Sequence, residues 1–479
     1  MRRKAGGGLA PAVIPFTSPA KAGVQHRAGR NWTPASAGVD QMDFATSPDP
    51  AVQHQLDRLW SLSPGADILG LDRITKLLAR LGDPHLALPP VLHVAGTNGK
   101  GSTCAFLRAA IEGAGLTAHV YSSPHLVRFN ERVRLAGRLI DDDRLAALLE
   151  EVLDHADGIG ASFFEVTTAA AFLAFAGRPA DACIVEVGLG GRLDATNVIA
   201  RPLVTGIAQL GIDHQAFLGN TPEAIAGEKA GIAKPGVPLV TMRYPPTVTQ
   251  RIAQVAAAAG APVFPLGLDW HFDLDEGAVV YRDGKGALTV PPPALAGPHQ
   301  PSNLALAIAM LRHQDVLTIP DAAFATAALT ARWPARMQRL GPGPLTALLP
   351  PGGELWLDGG HNAAAAQAVS AAVRERLAGR PLHLVCGMLA NKDAAGLLAP
   401  LADIARSLTA IPIPGHEHHA PAALADTARA VGIAKTTTAA DAATALAALP
   451  QDDTPPVVLI LGSLYLAGMV LAANDELPD

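Results

Sequence analysis

Short, strongly apolar runs recur along this chain, each followed by a segment with helical spacing, and this alternation constrains the fold more than any other feature. Residues 91–95, 118–121, 182–187, 203–207 and 239–241 are too short for stable helices and read as strands. Helix-compatible stretches separate them, including one at about 102–115, and parallel neighbours need such crossovers. Earlier, Leu56, Leu59 and Trp60, then Leu71, Ile74, Leu77, Leu78 and Leu81, repeat at helical spacing. A second series, 355–357, 382–386, 408–411 and 457–461, begins after Trp333. The expected architecture is α/β throughout. A domain with a mainly parallel sheet over residues 42–332 precedes a smaller Rossmann-like domain over 333–479, with a cleft between them as the natural ligand site.

Charge narrows the partners. The 479 residues carry a net charge of −6, but residues 1–41 hold six Lys or Arg against Asp40. That tail is locally +5 and the body −11, which argues against a nucleic-acid binder, since such proteins carry a basic footprint. The tail shows no hydrophobic periodicity; it is read as a disordered extension, with Met42 as the natural start. Residues 457–473 are uncharged, but Gly462-Ser463 splits them into a strand-like and a helix-like run without basic flanks, so no membrane span is expected. Three widely spaced cysteines, Cys104, Cys183 and Cys386, imply no disulfide framework and suit a reducing cytoplasm.

The strongest local signal is Gly96-Thr97-Asn98-Gly99-Lys100-Gly101-Ser102-Thr103, set between a strand-like run and a helical one. Small residues let backbone N–H groups wrap a phosphate, the following helix N-terminus favours its charge, and Lys100 adds a point charge. The spacing departs from G-x-x-x-x-G-K-[ST], because Lys100 is followed by Gly101.

This loop resembles the ATP-binding loop of the Mur ligase superfamily, in the form found in folylpolyglutamate synthases and dihydrofolate synthases. Further segments match in family order. They are Ser122-Ser123-Pro124-His125-Leu126, Phe129-Asn130-Glu131-Arg132, Glu186-Val187-Gly188-Leu189-Gly190-Gly191-Arg192-Leu193-Asp194-Ala195-Thr196-Asn197, Gly211-Ile212-Asp213-His214, Glu228-Lys229-Ala230-Gly231-Ile232, His299-Gln300 with Asn303, Asp358 with His361-Asn362, and Gly462-Ser463-Leu464-Tyr465.

The resemblance implies a Mur-ligase-type P-loop ATPase domain that also binds folate, followed by a glutamate ligase domain. ATP would be held by residues 96–103, by His299, Gln300 and Asn303, and by Arg336 and Asp358. Two Mg²⁺ ions would rest on Ser123, Glu165 and His214, with Ser102 near the first, and K⁺ is a further candidate. Lys229 would carry a carbamate, and Lys100, Lys229, Arg336 and His361 would serve catalysis. Pro124, His125, Phe129, Asn130 and Arg132 would face the folate, with Arg132 guiding anionic tails. Lys392-Asp393 resembles another family element. Ala335 stands where the family commonly has glycine, and Gly360 and Ala363 where it has alanine and proline.

A carboxylate is a poor electrophile, so joining it to an amine requires activation, and ATP can supply a phosphate to make an acyl phosphate. The reaction that the resemblance implies is ADP-forming ligation of L-glutamate to 7,8-dihydropteroate and to the γ-carboxylate of reduced folates, expected of a cytoplasmic monomer acting on small molecules. The alternatives are a polyglutamylating enzyme only, another Mur-type amino-acid ligase, a phosphate-loop hydrolase and a catalytically silent nucleotide-binding protein.

Overall fold

The computed structural model describes residues 47–62, 69–451 and 453–479. The expected extension over residues 1–41 and the reading of Met42 as the start lie outside the described residues. Helices α1 (Pro50–Ser61) and α2 (Asp72–Arg80) come first. Asp49 starts α1 by accepting from the N–H groups of Ala51 and Val52, with Pro50 in the first turn, where no N–H is needed. There follow β1 (Val91–Ala95), α3 (Lys100–Gly113), β2 (Ala118–Tyr121), β3 (Val133–Leu135), β4 (Arg138–Leu139), α4 (Asp142–His155), α5 (Phe163–Ala176) and β5 (Ala182–Glu186). After these come β6 (Val204–Ile207), α6 (Gln215–Leu218), α7 (Pro222–Ala230), β7 (Leu239–Thr241), α8 (Pro246–Ala259) and β8 (Val263–Pro265).

These eight strands form one sheet in the order β4-β3-β2-β5-β1-β6-β7-β8. It is parallel from β2 to β8, and β3 and β4 add an antiparallel edge. Strand β1 lies at its centre between β5 and β6, so the glycine loop leaves from the carboxyl edge, where open α/β sheets bind ligands. The central strands β1, β2, β5 and β6 are buried at every position, as their unbroken apolar runs require.

Three further strands, β9 (Trp270–Asp275), β10 (Ala278–Asp283) and β11 (Gly286–Val290), make a separate antiparallel meander before helices α9 (Gln300–Arg312) and α10 (Asp321–Thr330). The meander was not legible in the sequence, because β9 is mostly exposed and only Trp270 is fully buried in it. One face of the large sheet is covered through Phe106 and Ile111 of α3, Leu304 and Ile308 of α9 and Phe324 of α10. The other is covered through Leu145 and Leu149 of α4, Phe172 and Phe175 of α5, and Leu56 and Leu77 of the first two helices. Each such side chain stabilises the fold by about 1.5–3 kcal/mol through burial.

The second series is β12 (Gln338–Arg339), β13 (Glu354–Asp358), α11 (Ala363–Leu377), β14 (Leu382–Cys386), α12 (Ala394–Leu398), β15 (Ala405–Ala410), α13 (Pro421–Ala430), β16 (Thr436–Thr438), α14 (Ala442–Ala447), β17 (Val457–Leu461) and α15 (Leu464–Ala473). Its sheet runs β12-β13-β17-β14-β15-β16, parallel except for β12 against β13. Residues 457–473 are thus a buried strand and a packed helix, and no helix among the described residues is long and apolar enough to cross a membrane. The strand expected at 408–411 begins three residues earlier, at Ala405, across a register shift opposite Leu382 and His383. Helix α3 begins at Lys100, ahead of the expected Ser102, with Gly99 as N-cap at φ 84°.

Candidate active site

No side chain caps α3, so the first N–H groups of that helix are left without a capping side chain, beside the loop it grows from. Lys100, in its first turn, reaches back to the carbonyls of Gly96 (3.2 Å) and Thr97 (3.4 Å). The loop is fixed from below by Thr97 and Asn98 N–H groups donating to the Gln209 carbonyl, and by the Thr97 hydroxyl on the Gly211 carbonyl. Two close approaches explain its glycines. A Cβ on Gly99 would lie 2.5 Å from Asn303 Oδ1, and one on Gly101 2.4 Å from the Trp333 indole. The unusual Gly101 therefore makes room for an aromatic ring from the start of the second series.

Helix α9 locks this loop. Gln300 donates to the Ser102 hydroxyl at 3.3 Å, and Asn303 donates to Gln300 Oε1 at 3.1 Å. The loop opens into a cavity of about 390 Å³ lined from both sheets. Gly96, Thr97, Asn98, Gly99, Lys100, Gly101, Ser102, Ser123, Pro124, His214, Lys229, His299, Asn303, Arg336, Asp358 and His361 all line it, so most of the expected site converges there. Gln300 and Thr103 lie behind that wall, fully buried.

Lys229, on α7, is buried and donates to the Gly96 carbonyl at 2.9 Å. Burial, and then the positive charge of Lys100, push its pKa down to about 7, so a neutral amine is accessible near neutrality. The signature at residues 186–197 is the scaffold for this lysine. Asp194 accepts from the N–H groups of Leu189 (2.8 Å) and Thr196 (3.0 Å), and Arg192 N–H donates to the Glu228 carbonyl. A Cβ on Gly191 would collide with the Lys229 carbonyl at 2.8 Å, so only glycine lets this loop lie against α7.

Glu165 requires correction as a metal ligand. It is the third residue of α5, closes a capping box with Ser162 and pairs with Arg73 at 2.9 Å, and it does not line the cavity. Glu186 stands in the cavity instead, at the carboxyl end of β5 beside the loop strand. It is buried, and the only hydrogen bond its carboxylate makes among the described residues is a long one, 3.5 Å, from Ser123 N–H. Burial pushes its pKa up, opposed chiefly by Lys100. A buried carboxylate so weakly satisfied, beside Ser123 and His214 on the same cavity, is a donor set that fits a hard divalent cation. Among the described residues no three His, Cys, Asp or Glu side chains cluster as a ready-made metal site, so hydroxyl, phosphate or water oxygens would complete the shell. The sequence signal for Glu186 was its place near the end of the strand-like run 182–187 and at the head of the matched segment 186–197.

The folate-facing set also requires correction. Only Pro124 lines the cavity. His125 accepts from Arg132 Nε at 2.8 Å, the Arg132 guanidinium lies 5.3 Å from the rings of Phe129 and Phe163, and Asn130 donates to Ile140 and Asp142. These buried groups shape the wall behind Ser123–Pro124. The cations that do reach the cavity on this side are Arg108 and Arg134.

Across the cavity, Asp358 uses both oxygens to accept from Met337 and Gly360 N–H groups (2.8 and 2.7 Å), fixing the turn that carries Arg336. Ala335 adopts φ 53° there, so the turn favoured by glycine is kept with alanine. Gly360 suits its place: a Cβ would lie 2.8 Å from Asp358 Oδ1. Asp213, not singled out from the sequence, ties the two series together. It pairs with Lys392 at 3.0 Å and faces His361 Nε2 at 3.5 Å, while Asn362 donates to it at 3.4 Å. Burial opposes its charge, but the His361 hydrogen bond and the nearby His214 and Lys392 hold its carboxyl well below the usual range.

The family model "Mur ligase, glutamate ligase domain" matches residues 347–464. Together with a phosphate loop on the carboxyl edge of a parallel sheet, it defines an ATP-dependent, ADP-forming ligase of the Mur type. The chain is 35% identical over 363 residues to the dihydrofolate synthase/folylpolyglutamate synthase of Bacillus subtilis (strain 168), covering 71% of this chain and 80% of that relative. It therefore belongs to the folylpolyglutamate synthase/dihydrofolate synthase family. The relative of the same description in Escherichia coli (strain K12) is 34% identical over 72% of this chain and 78% of its own. Among solved structures, E. coli FolC in complex with DHPP and ADP has a TM-score of 0.80 at 31% identity, over 89% of this chain and 98% of that one. A bifunctional family member with Mn, AMPPNP and L-glutamate bound gives 0.77 at 33% identity, over 88% and 97%.

Proposed function

We propose that this chain joins L-glutamate to the carboxylate of 7,8-dihydropteroate, and to the terminal γ-carboxylate of reduced folates, with cleavage of ATP to ADP and phosphate. The observation that carries this reading is one cavity in which Lys100, Glu186, His214 and Lys229 face Arg336 and His361. Support also comes from relatives described as dihydrofolate synthase/folylpolyglutamate synthase and from solved members holding ADP, DHPP and glutamate. The sequence division at 332/333 is read as the boundary between the ATP- and folate-binding domain and the glutamate ligase domain.

The acceptor carboxylate attacks the γ-phosphorus, the bond to the ADP oxygen breaks, and an acyl phosphate results. The glutamate amine then attacks the acyl carbon, loses a proton, and phosphate departs as the amide forms. The loop N–H groups and Lys100 hold the phosphates, Arg336 offers a planar donor fork to the charge that gathers in transfer, and His361 meets the incoming glutamate or phosphate. Ser102, Ser123, Glu186 and His214 would hold divalent metal, read as two Mg²⁺ ions, with K⁺ as an additional candidate. Bound there, such ions neutralise phosphate charge. Neutral Lys229 would add to CO₂ with loss of one proton, giving an anionic carbamate. The reading has the enzyme act as a cytoplasmic monomer, in keeping with three free, buried cysteines.

The test is ADP release measured with dihydropteroate and with tetrahydrofolate, each with and without glutamate. Glutamate-dependent release on both acceptors is expected. None on either acceptor rejects the reading, and release on one alone makes the enzyme single-function.

A further inference from the structure

The cavity is also lined from the β2–β3 side of the large sheet, where two arginines reach it, Arg108 of α3 and Arg134 of β3. Apolar side chains line it as well: Val120, Leu126, Leu139 and Leu464. Arg108 makes no hydrogen bond or ion pair among the described residues, and Arg134 donates at 2.9 Å to the Gly137 carbonyl. Burial and the charge of Arg108 bring the Arg134 pKa down to about 10, against the opposing charges of Glu112, Asp479 and Glu131. The nearby acids are spoken for in part. Glu131 accepts from the N–H groups of Leu126, Val127 and Arg128 at 2.7–2.8 Å, and Glu112 acts on Arg134 only through its charge.

The chain's own last described segment lies in this recess. Glu476 anchors it by accepting from Gln338 and Asn474, both at 2.9 Å. Arg128 then donates to the Pro478 carbonyl at 3.0 Å, Arg134 donates to Asp479 O, and both Pro478 and Asp479 line the cavity. Asp479, exposed at its outer side, thus meets Arg134 through its main-chain oxygen on the cavity that the phosphate loop and Arg108 also line.

Building on the function proposed above, we infer that Arg108 and Arg134 form a subsite for a carboxylate of a glutamyl group, and that residues 477–479 occupy it in competition with substrate. The chemistry matches a carboxylate on a short flexible stem: a guanidinium fork for the anion and apolar walls for the methylenes. Two molecules of the reaction carry such a group, the incoming glutamate and the glutamyl tail of a folate acceptor. The recess discriminates against dihydropteroate in the second role, because that acceptor has no glutamyl tail.

The experiment compares the full chain with Arg134→Gln, Arg108→Gln and a variant lacking residues 477–479, by ADP release. KM is measured for L-glutamate with dihydropteroate as acceptor, and for tetrahydrofolate carrying one or three glutamyl groups. Losing a charge-assisted hydrogen bond weakens binding by about tenfold or more, so either arginine variant should raise KM by that factor with kcat less affected. A rise for L-glutamate assigns the subsite to the amine substrate; a rise confined to the glutamylated acceptors assigns it to the tail. Removing residues 477–479 should lower the same KM severalfold. If glutamate-dependent ADP release persists and both arginine variants leave every KM within twofold, the subsite is overturned while the ligase reading stands. An unaltered KM in the shortened variant overturns the competition. Absence of glutamate-dependent release in the full chain is the distinct failure of the ligase reading itself.

Discussion

Lys100 and Lys229 direct their amines to the same acceptor, the Gly96 carbonyl, at 3.2 and 2.9 Å. Burial, and then the charge of the neighbouring Lys100, bring the Lys229 pKa down to about 7. The phosphate loop thereby prepares a nucleophilic amine beside itself.

The first prediction follows from that amine. In the unfolded chain a lysine keeps its proton to about pH 10.4. Between about 7 and 10 the unfolded state therefore holds more protons, and stability of the unmodified protein rises with pH through this window. Lys229→Met should flatten that part of the melting-temperature profile. Depleting CO₂ should depress turnover, and bicarbonate should restore it faster as pH rises through 7. A variant lacking Lys229 that keeps full turnover without any added short carboxylate would remove the carbamate from the mechanism.

The second concerns Asp213 and Lys392, whose 3.0 Å pair spans the cleft between the two series. Asp213→Asn leaves the largely buried ammonium without its anion and weakens the hold on His361 and Asn362. Mutating one partner of so shielded a pair should cost roughly 1–3 kcal/mol and lower kcat/KM at least tenfold. Because the Asp213 carboxyl is held low, its stabilisation is present above the unfolded value near 4 and lost only as pH falls further. Melting curves of the two proteins should differ at pH 7 and converge in acid.

Central strands such as β1, β5, β14 and β17 could be read from the sequence because they are buried at every position, and an unbroken apolar run has few other uses. The meander escaped because its strands show mixed exposure, and the edge strands β4 and β12 because two residues carry no period. The loop, Lys229 and Arg336 were legible as ordered motifs. Glu165 misled because the resemblance made it a metal ligand, whereas its carboxylate serves the first turn of α5 and Arg73. Arg132 misled likewise: it was expected to face the folate and guide anionic tails, and tertiary packing laid it against Phe129 and Phe163. Asp213 and Lys392 each lie in a matched segment, but their pairing across the cleft, 179 positions apart, carries no local signal.

The third prediction separates the two glutamates. Glu186→Gln should abolish metal-dependent turnover, by about a hundredfold or more if it holds a cation that neutralises transferred phosphate, while leaving the melting temperature near or above wild type. Glu165→Gln should do the reverse. It loses an ion pair and half a capping box, costing about 1–3 kcal/mol, with modest change in kcat. Thermal melts and Mn²⁺ titration of ADP release read both. If Glu165→Gln abolished turnover at unchanged stability, the assignment of Glu186 would fall.

The last concerns Gly101, the residue that breaks the usual loop spacing. Its Cα faces the Trp333 indole so closely that an added Cβ would sit 2.4 Å from the ring. Trp333 itself packs partly buried against the core of the first sheet, next to Pro334 and the turn bearing Arg336. Gly101→Ala must therefore move the ring, and with it the arginine aimed at the phosphates. Overpacking of this kind costs about 1–3 kcal/mol. The expected result is a nucleotide KM raised about tenfold or more and a shifted tryptophan fluorescence, in a protein that still folds. Gly101→Ala with Trp333→Leu should recover much of the loss, since the smaller side chain can give way. If the double variant binds nucleotide no better than Gly101→Ala alone, the glycine serves the phosphate directly rather than the ring.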